Sequence, residues 1–230
     1  MERTCPGCGK KLTEKNYSFC PWCGNDLVIP AAKEERTEEE KQAEKWIQKA
    51  LAETAYPRRR EILQKGLKEC PGNREILWEL LFTGEAAGGR RIDFSVIKCH
   101  ALDFYLEPEN YREPQRDRMR GELFDAPELK ACLALFEDPE EKQRAYLRRL
   151  CREYVTIFLE GNNRIMGSFF GLRNEKSRGK RLAKPVKKML SRMGEDEKLL
   201  PEQRQMLREE MTRAFAAKAE GNTALLEEEE

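Results

Sequence analysis

The sequence predicts a mainly α-helical protein with a small four-cysteine metal site near its N-terminus. Three observations lead to this prediction. Apolar residues recur at the i, i+3, i+4, i+7 spacing of a helical face through most of the chain, and no run shows the alternation of a half-buried strand. Two Cys-Pro-x-Cys-Gly phrases also lie within residues 5–24. We expect an all-α helical-hairpin array or bundle behind the metal site.

Composition restricts the class of protein. Charged residues make up 37% and hydrophobic residues 39% of the 230 positions, against about 25% and 45–50% in an average soluble domain. This balance favours an elongated helical architecture, and a net charge of +1 gives no overall attraction to anionic partners. The chain has no apolar run of about 18 residues and no apolar leader. We therefore expect a cytoplasmic protein without a membrane span.

Four cysteines, Cys5 with Cys8 and Cys20 with Cys23, have the spacing of metal ligands. In each pair a proline follows the first cysteine and fixes φ early in a tight turn, and a glycine after the second tolerates positive φ. Such turns direct both sulfurs of a pair to one point. In a reducing cytoplasm two such pairs favour a tetrahedral Zn²⁺ site over disulfides.

The predicted zinc is structural. About 25 residues bury too little apolar surface to fold alone, whereas zinc contributes an apparent free energy of about 10–16 kcal/mol in finger peptides. Four thiolates also fill every coordination position, so no bound water remains to be activated. An iron site, and two disulfides or a redox pair, are the alternatives at the same cysteines.

The segment resembles the short zinc ribbon common at the ends of prokaryotic proteins, which consists of two Cys-Pro-x-Cys-Gly turns. The resemblance covers residues 1–28 and implies a β-hairpin-type zinc ribbon, which we place at residues 1–29. Such ribbons serve as interaction modules, nucleic-acid contacts or structural caps. Trp22, at the variable position of the second turn, is either a partner anchor or part of the local packing.

Residues 30–40 are polar and charged, and we interpret them as a linker to the first helix. Thr37 and Glu40 have the form of a capping box. One helical face follows, and this helix should end before Pro57. The face comprises Ala43, Trp46, Ile47, Ala50, Leu51 and Thr54.

Further helices are predicted within an all-α domain at residues 41–171. Apolar stripes and breaks indicate helices at 58–69, after Asn73, at 93–106 and from Asp125. The best defined begins at Asp138, with Pro139 in the first helical position, and ends at Gly161. Its stripe comprises Leu147, Leu150, Cys151, Tyr154, Val155 and Phe158.

The Pro71-Gly72-Asn73 break resembles the joint between two tetratricopeptide-type helix pairs. The phrase LQKGLKECPGNREILWELL contains it, and LDFYLEPEN ends in a similar break at Pro108, 37 residues later, where that repeat has about 34. The resemblance implies stacked helical hairpins. A generic helical bundle is the alternative.

Four cysteines and one histidine in the helical body are the side chains best suited to catalysis. Cys132 and Cys151 lie on apolar stripes, which predicts small core residues, and Cys70 and Cys99 have no activating neighbours in the sequence. His100 directly follows Cys99, and neighbours on a helix point about 100° apart, so we expect a semi-buried helix residue. With no phosphate-binding loop or nucleophile elbow, the sequence favours a non-enzymatic function.

Charge is segregated towards the C-terminus. Residues 173–192 contain nine Lys or Arg against one acid, and residues 195–230 contain eleven acids against five bases. We place the basic segment and a C-terminal helical hairpin at 172–221 and an acidic tail at 222–230. The hairpin's apolar stripes, either core or an adaptable partner groove, comprise Val186, Met189, Leu190, Met193, Met206, Leu207, Met211, Ala214 and Phe215.

The basic segment is a candidate nucleic-acid contact, since several phosphate contacts make binding steeply salt-dependent. Phe169 and Phe170 are suited to stacking on unpaired bases. The alternatives are a solvated connector and helix start, or a segment masked by the acidic C-terminus. The candidate contacts are Arg173, Lys176, Arg178, Lys180, Arg181, Lys184, Lys187 and Lys188.

These patterns predict a non-enzymatic adaptor or scaffold that binds another protein through its helical surface and Trp22. Structural zinc is its expected cofactor. The alternative function is a nucleic-acid-binding accessory factor that uses residues 173–192 and the ribbon.

Overall fold

The computed structural model describes residues 3–4, 11–12, 37–83, 98–160, 175–219 and 223–226. This part of the chain is mainly helical, as the sequence predicted. Its helices group into two compact units, Ala32–Tyr146 and Leu147–Glu230. None of the described helices has both the length and the apolar character of a membrane span.

The first two helices, α1 (Glu38–Leu51) and α2 (Tyr56–Glu69), pack against each other. The predicted capping box begins α1, because Glu40 N donates to Thr37 Oγ1 at 3.2 Å and Thr37 N donates to Glu40 Oε2 at 2.8 Å. The two helices share an apolar core with the start of the next helix. Its buried members are Ala43, Ile47, Ala50, Leu63, Cys70 and Ile76.

Gly66 on α2 lies against Trp46 on α1. A Cβ atom at this position would lie 2.7 Å from Trp46 Cβ and 2.8 Å from Trp46 Cγ, so any larger residue overlaps the tryptophan. The Trp46 Nε1 group donates to Glu69 Oε2 at 3.0 Å. The indole is therefore held between the two helices by packing and by a hydrogen bond.

The predicted break at Pro71-Gly72-Asn73 leads into α3 (Arg74–Leu80). Gly72 has a φ of 74°, in the left-handed region that favours glycine. Asn73 Oδ1 accepts hydrogen bonds from Glu75 N at 3.1 Å and Ile76 N at 3.2 Å, which caps the helix. Since α3 contacts both α1 and α2, three consecutive helices stack together.

Short elements occupy residues 98–133. A 3₁₀ segment (Lys98–Leu102) continues into α4 (Asp103–Leu106), and a 3₁₀ turn (Pro108–Asn110) precedes α5 (Glu113–Phe124) and α6 (Pro127–Leu133). The helix predicted at 93–106 is therefore partly 3₁₀, and residues 93–97 lie outside the described part. The sequence did not predict α5, because its strongly charged stretch carries few apolar side chains.

The best-defined sequence prediction is confirmed in α7 (Pro139–Tyr154), which continues as a π-helical segment (Val155–Glu160). Asp138 Oδ1 accepts from Glu141 N at 2.9 Å and caps the helix. Phe158 is half-buried, and its ring lies 5.2 Å from that of Tyr154. The other predicted stripe residues, Leu147, Leu150, Cys151, Tyr154 and Val155, are buried.

The C-terminal unit contains a hairpin of α8 (Glu175–Glu195) and α9 (Pro201–Lys218). Thr223–Leu226 form a 3₁₀ turn that contacts both helices. Residues 175–192 are helical, which agrees with the helix start named in the connector interpretation. The methionines are core residues and do not line a partner groove, since buried side chains of the hairpin include Met189, Met193, Met206, Leu207, Met211 and Phe215.

Candidate metal centre and interaction surfaces

Two short strands lie at the N-terminus, Arg3–Thr4 and Lys11–Leu12. They pair antiparallel, with Arg3 opposite Leu12 and Thr4 opposite Lys11. Residues 5–10, which connect the strands, contain the first Cys-Pro-x-Cys-Gly phrase. The pairing brings the two ends of this connection together, which suits a turn that presents two sulfurs to one metal ion.

The predicted ligands Cys5, Cys8, Cys20 and Cys23, together with Trp22, lie outside the described residues. Their chemistry fits zinc, since soft thiolate donors in two closely spaced pairs suit tetrahedral Zn²⁺. Within the described ranges, no group of three or more His, Cys, Asp or Glu side chains is arranged to hold a metal ion.

The four other cysteines, Cys70, Cys99, Cys132 and Cys151, are buried thiols that form no disulfide. The prediction that Cys132 and Cys151 are core residues is confirmed. Burial raises the pKa of Cys132 to about 11 and also raises the pKa values of Cys70 and Cys151. These three thiols stay protonated at neutral pH, and a protonated thiol is a poor nucleophile.

His100 is a semi-buried residue of the 3₁₀ segment, as expected. Its Nε2 atom lies 3.2 Å from Tyr111 Oη, and that hydroxyl donates to Asp103 Oδ2 at 2.6 Å. Burial, and then the hydrogen bond to Asp103, raise the pKa of Tyr111. The tyrosine therefore stays protonated and joins the histidine to the carboxylate in one local network.

Glu210 on α9 is a buried carboxylate between two arginines. Its Oε2 atom accepts from Arg148 Nε at 3.1 Å, and its Oε1 atom accepts from Arg213 Nη1 at 2.8 Å. Arg148 lies on α7, so the carboxylate joins α7 to α9. Sequence patterns did not identify Glu210 as a buried, ion-paired residue, because its partner Arg148 lies 62 positions away in the sequence.

A cluster of aromatic rings and cations is formed by residues of α3, of the segment after α6 and of α7. The Trp78 and Phe136 rings are 5.9 Å apart, and Lys142 Nζ lies 4.6 Å from the Trp78 centroid and 4.0 Å from that of Phe136. The Arg74 guanidinium carbon lies 5.5 Å from the centroid of the Phe136 ring. We call Arg74, Leu135, Phe136 and Lys142 the Phe136 patch.

The apolar stripe that the sequence predicts after Asn73 comprises Ile76, Leu77, Leu80 and Leu81. It omits Trp78, which is buried. The missed signal is the four-residue spacing of Trp78 and Phe82, which places both on one face of a helix. Their ring centroids lie 5.3 Å apart in an edge-to-face arrangement. Leu135 in the Phe136 patch is 44% exposed. The patch thus combines a packed aromatic base with an accessible apolar side chain.

The basic segment forms much of α8, and its predicted contacts differ in setting. Lys180, Lys184 and Lys188 are exposed, whereas Arg181 and Lys187 are half-buried. Arg173 lies outside the described residues, as do the side chains of Lys176 and Arg178. The described part of the helix therefore presents three of the predicted lysines to solvent on one face.

Residues 1–28 match a family described as a domain of unknown function (DUF7575). The matched range coincides with the segment predicted to be a zinc ribbon. No significant match was found among curated proteins or solved structures.

Proposed function

We propose that the protein is a non-enzymatic adaptor in which a structural zinc ribbon is joined to a helical body that binds a protein partner. The Phe136 patch is the observation that carries this proposal. Tryptophan and arginine are enriched among the residues that dominate protein–protein binding energy, and such residues cluster in well-packed sites. The patch contains Arg74, and its Phe136 ring packs against the buried Trp78 ring.

The packing of the patch favours binding. The Phe136 ring already contacts Trp78 and the Lys142 ammonium, so little side-chain freedom remains to be lost on association. Leu135 offers apolar surface, and Arg74 and Lys142 supply positive charge. The complementary partner surface presents an apolar side chain flanked by carboxylates.

The environment of the reactive side chains supports a function without catalysis. Burial keeps Cys132 and Cys151 protonated, and His100 belongs to a local network with Tyr111. A zinc ion held by four thiolates would add a rigid fold without a coordination site for substrate. Trp22 within the ribbon is a second candidate contact.

Leu135→Asp tests this function against a matched control, Leu51→Asp, because Leu51 on α1 is similarly exposed at 42%. The zinc-loaded full chain and both variants are used to capture proteins from the source cells, with quantitative mass spectrometry as the measurement. We expect one protein to be enriched by wild type and Leu51→Asp and reduced at least about tenfold by Leu135→Asp, since removal of an interface anchor costs 2 kcal/mol or more.

Circular dichroism verifies that both variants fold. Equal enrichment of every captured protein by Leu135→Asp and wild type would contradict the assignment of the patch. Turnover of a small molecule by the purified chain would contradict the non-enzymatic function.

A further inference from the structure

One narrow face of α8 is exposed. Between residues 179 and 195, for which side chains are described, the exposed positions follow one another at steps of four, four, three and four residues. This spacing places them along a single helical stripe. They are Lys180, Lys184, Lys188, Ser191 and Glu195.

The opposite face of α8 fixes the orientation of this stripe. Leu182, Val186, Met189 and Met193 are fully or almost fully buried, and α8 packs along α9. The three lysines therefore project from a helix whose rotation is set by its core. We call Lys180, Lys184 and Lys188 the lysine row.

Charge accumulates around the lysine row. The whole of α8 contains eight Lys or Arg against two Glu, a net charge of +6, and half-buried Arg181, Lys187 and Arg192 flank the row. The adjoining α9 contains four Lys or Arg against three Glu. Because α9 itself is not acidic, the hairpin retains the positive charge of α8.

We propose that the lysine row binds the phosphodiester backbone of a nucleic acid without reading its sequence. At 1.5 Å per residue the row is about 12 Å long. One strand of a duplex carries a phosphate about every 3.4 Å along the axis, so this length spans about four phosphates. Lysine ammonium groups bind phosphates as point charges and require no particular base.

An acidic protein is the competing ligand, and the composition of the face disfavours it. The exposed stripe of α8 has no apolar side chain among its described members, and lysine is depleted at protein–protein interfaces, which centre on apolar and aromatic residues. Electrostatic contact alone supplies non-specific binding to nucleic acids. The stripe therefore fits a phosphate backbone better than a protein surface.

The test compares Lys180→Gln/Lys184→Gln/Lys188→Gln with a matched control on α1. Lys41, Lys45 and Lys49 are exposed at the same four-residue spacing, but Glu38, Glu39, Glu40 and Glu44 surround them on α1. Replacement of these three lysines by glutamine removes equal charge from a helix that is not basic. Both variants alter exposed helical positions only, and circular dichroism verifies their folding.

Fluorescence anisotropy with labelled mixed-sequence oligonucleotides, single-stranded and duplex, measures the affinity of the zinc-loaded full chain between about 50 and 200 mM salt. Loss of three phosphate contacts reduces the slope of log K against log salt by about 2 on single strands and about 2.7 on duplex. We expect this reduction in the α8 variant, with weaker binding to every sequence, and an unchanged slope in the α1 control.

A variant with Glu227–Glu230 changed to glutamine removes competition from the acidic tail. Absence of salt-dependent binding at about 50 mM salt in both wild type and this variant overturns the proposal, since phosphate contacts are strongest there. Equal loss of binding in the α1 control also overturns it. If poly-glutamate of equal charge displaces the oligonucleotide as well as unlabelled oligonucleotide does, the ligand is an acidic polypeptide instead.

Discussion

At the scale of single residues, Glu210 shows what a local pattern misses. It is 1% exposed on the apolar face of α9, beside Leu207 and Met211. The spacing of the methionines and leucines predicted this face, but nothing within α9 indicates that a carboxylate can be buried there. Arg148, far away in the sequence, supplies the missing compensation. Burial of a charge costs several kcal/mol unless it is paired.

Glu210→Gln should therefore destabilise the fold. The substitution keeps the shape of the side chain but leaves Arg148 and Arg213 without their shared carboxylate. We expect a loss of roughly 3 kcal/mol in the free energy of unfolding, since removal of one partner from a buried ion pair costs about that much. Urea unfolding followed by circular dichroism measures this change.

The neighbouring Glu209 provides the control for that measurement. Glu209 is exposed, and its Oε1 accepts a hydrogen bond from Gln205 Nε2 at 2.8 Å. Glu209→Gln should change the free energy of unfolding by no more than about 0.5 kcal/mol. Similar losses in the two variants would show that burial and ion pairing of Glu210 are not the cause.

Cys132 makes stability depend on alkaline pH. Its thiol has a pKa of about 11 in the fold against an ordinary value of 9.0. Between these values the unfolded chain loses the proton while the folded chain keeps it, so rising pH favours unfolding. Below about pH 9 both states are protonated, and this contribution to stability is fully present.

We expect the urea midpoint of wild type to fall between about pH 8 and pH 10, and Cys132→Ala to fall by less over the same interval. The variant lowers the midpoint at both pH values because it removes a buried group. The quantity to compare is the change in urea midpoint between these two pH values, measured separately for wild type and for the variant. Equal falls would contradict the raised pKa.

At the scale of helices and turns, the sequence predicted those features that depend on neighbouring residues. The caps at Thr37 and Asp138 were visible because a capping side chain bonds to a backbone N–H only three residues away. In contrast, α5 was missed, although Pro114 in its first turn and the spacing of Met119 and Leu123 were available signals. Its charged surface obscured a short buried face.

Gly66→Ala should separate α1 from α2. The new methyl group would lie 2.7 Å from Trp46 Cβ, and relief of this overlap requires a shift of helix or indole. We expect a loss of about 1–3 kcal/mol, the usual cost of overpacking. Chemical denaturation measures it.

Gly121 in α5 is the matched control, because a Cβ atom there has no heavy atom within 4 Å. Gly121→Ala should stabilise the protein by about 0.5–1 kcal/mol, since alanine has the higher helix propensity. If both glycine substitutions raised stability, the close crossing at Trp46 would not limit the residue at position 66.

At the scale of the whole molecule, the mainly helical class followed from periodicity, whereas the grouping of helices did not. The sequence predicts a domain boundary at 171, and the structure divides the helices between Tyr146 and Leu147, inside α7. The apolar stripe of α7 continues across that point without a change in spacing. The helices that pack on each part of this stripe are determined by contacts between residues distant in the sequence. The ion pair of Arg148 and Glu210 is one such contact.

The N-terminal zinc site is the central structural claim of the adaptor proposal, whereas the Phe136 patch carries its partner-binding claim. Metal analysis by inductively coupled plasma mass spectrometry on the purified full chain tests the zinc site directly. We predict one zinc per chain, near-complete loss in Cys20→Ser/Cys23→Ser, and full retention in Cys70→Ser/Cys99→Ser, because Cys70 and Cys99 are core thiols. A metal-free wild-type chain, or iron in place of zinc, would contradict the claim.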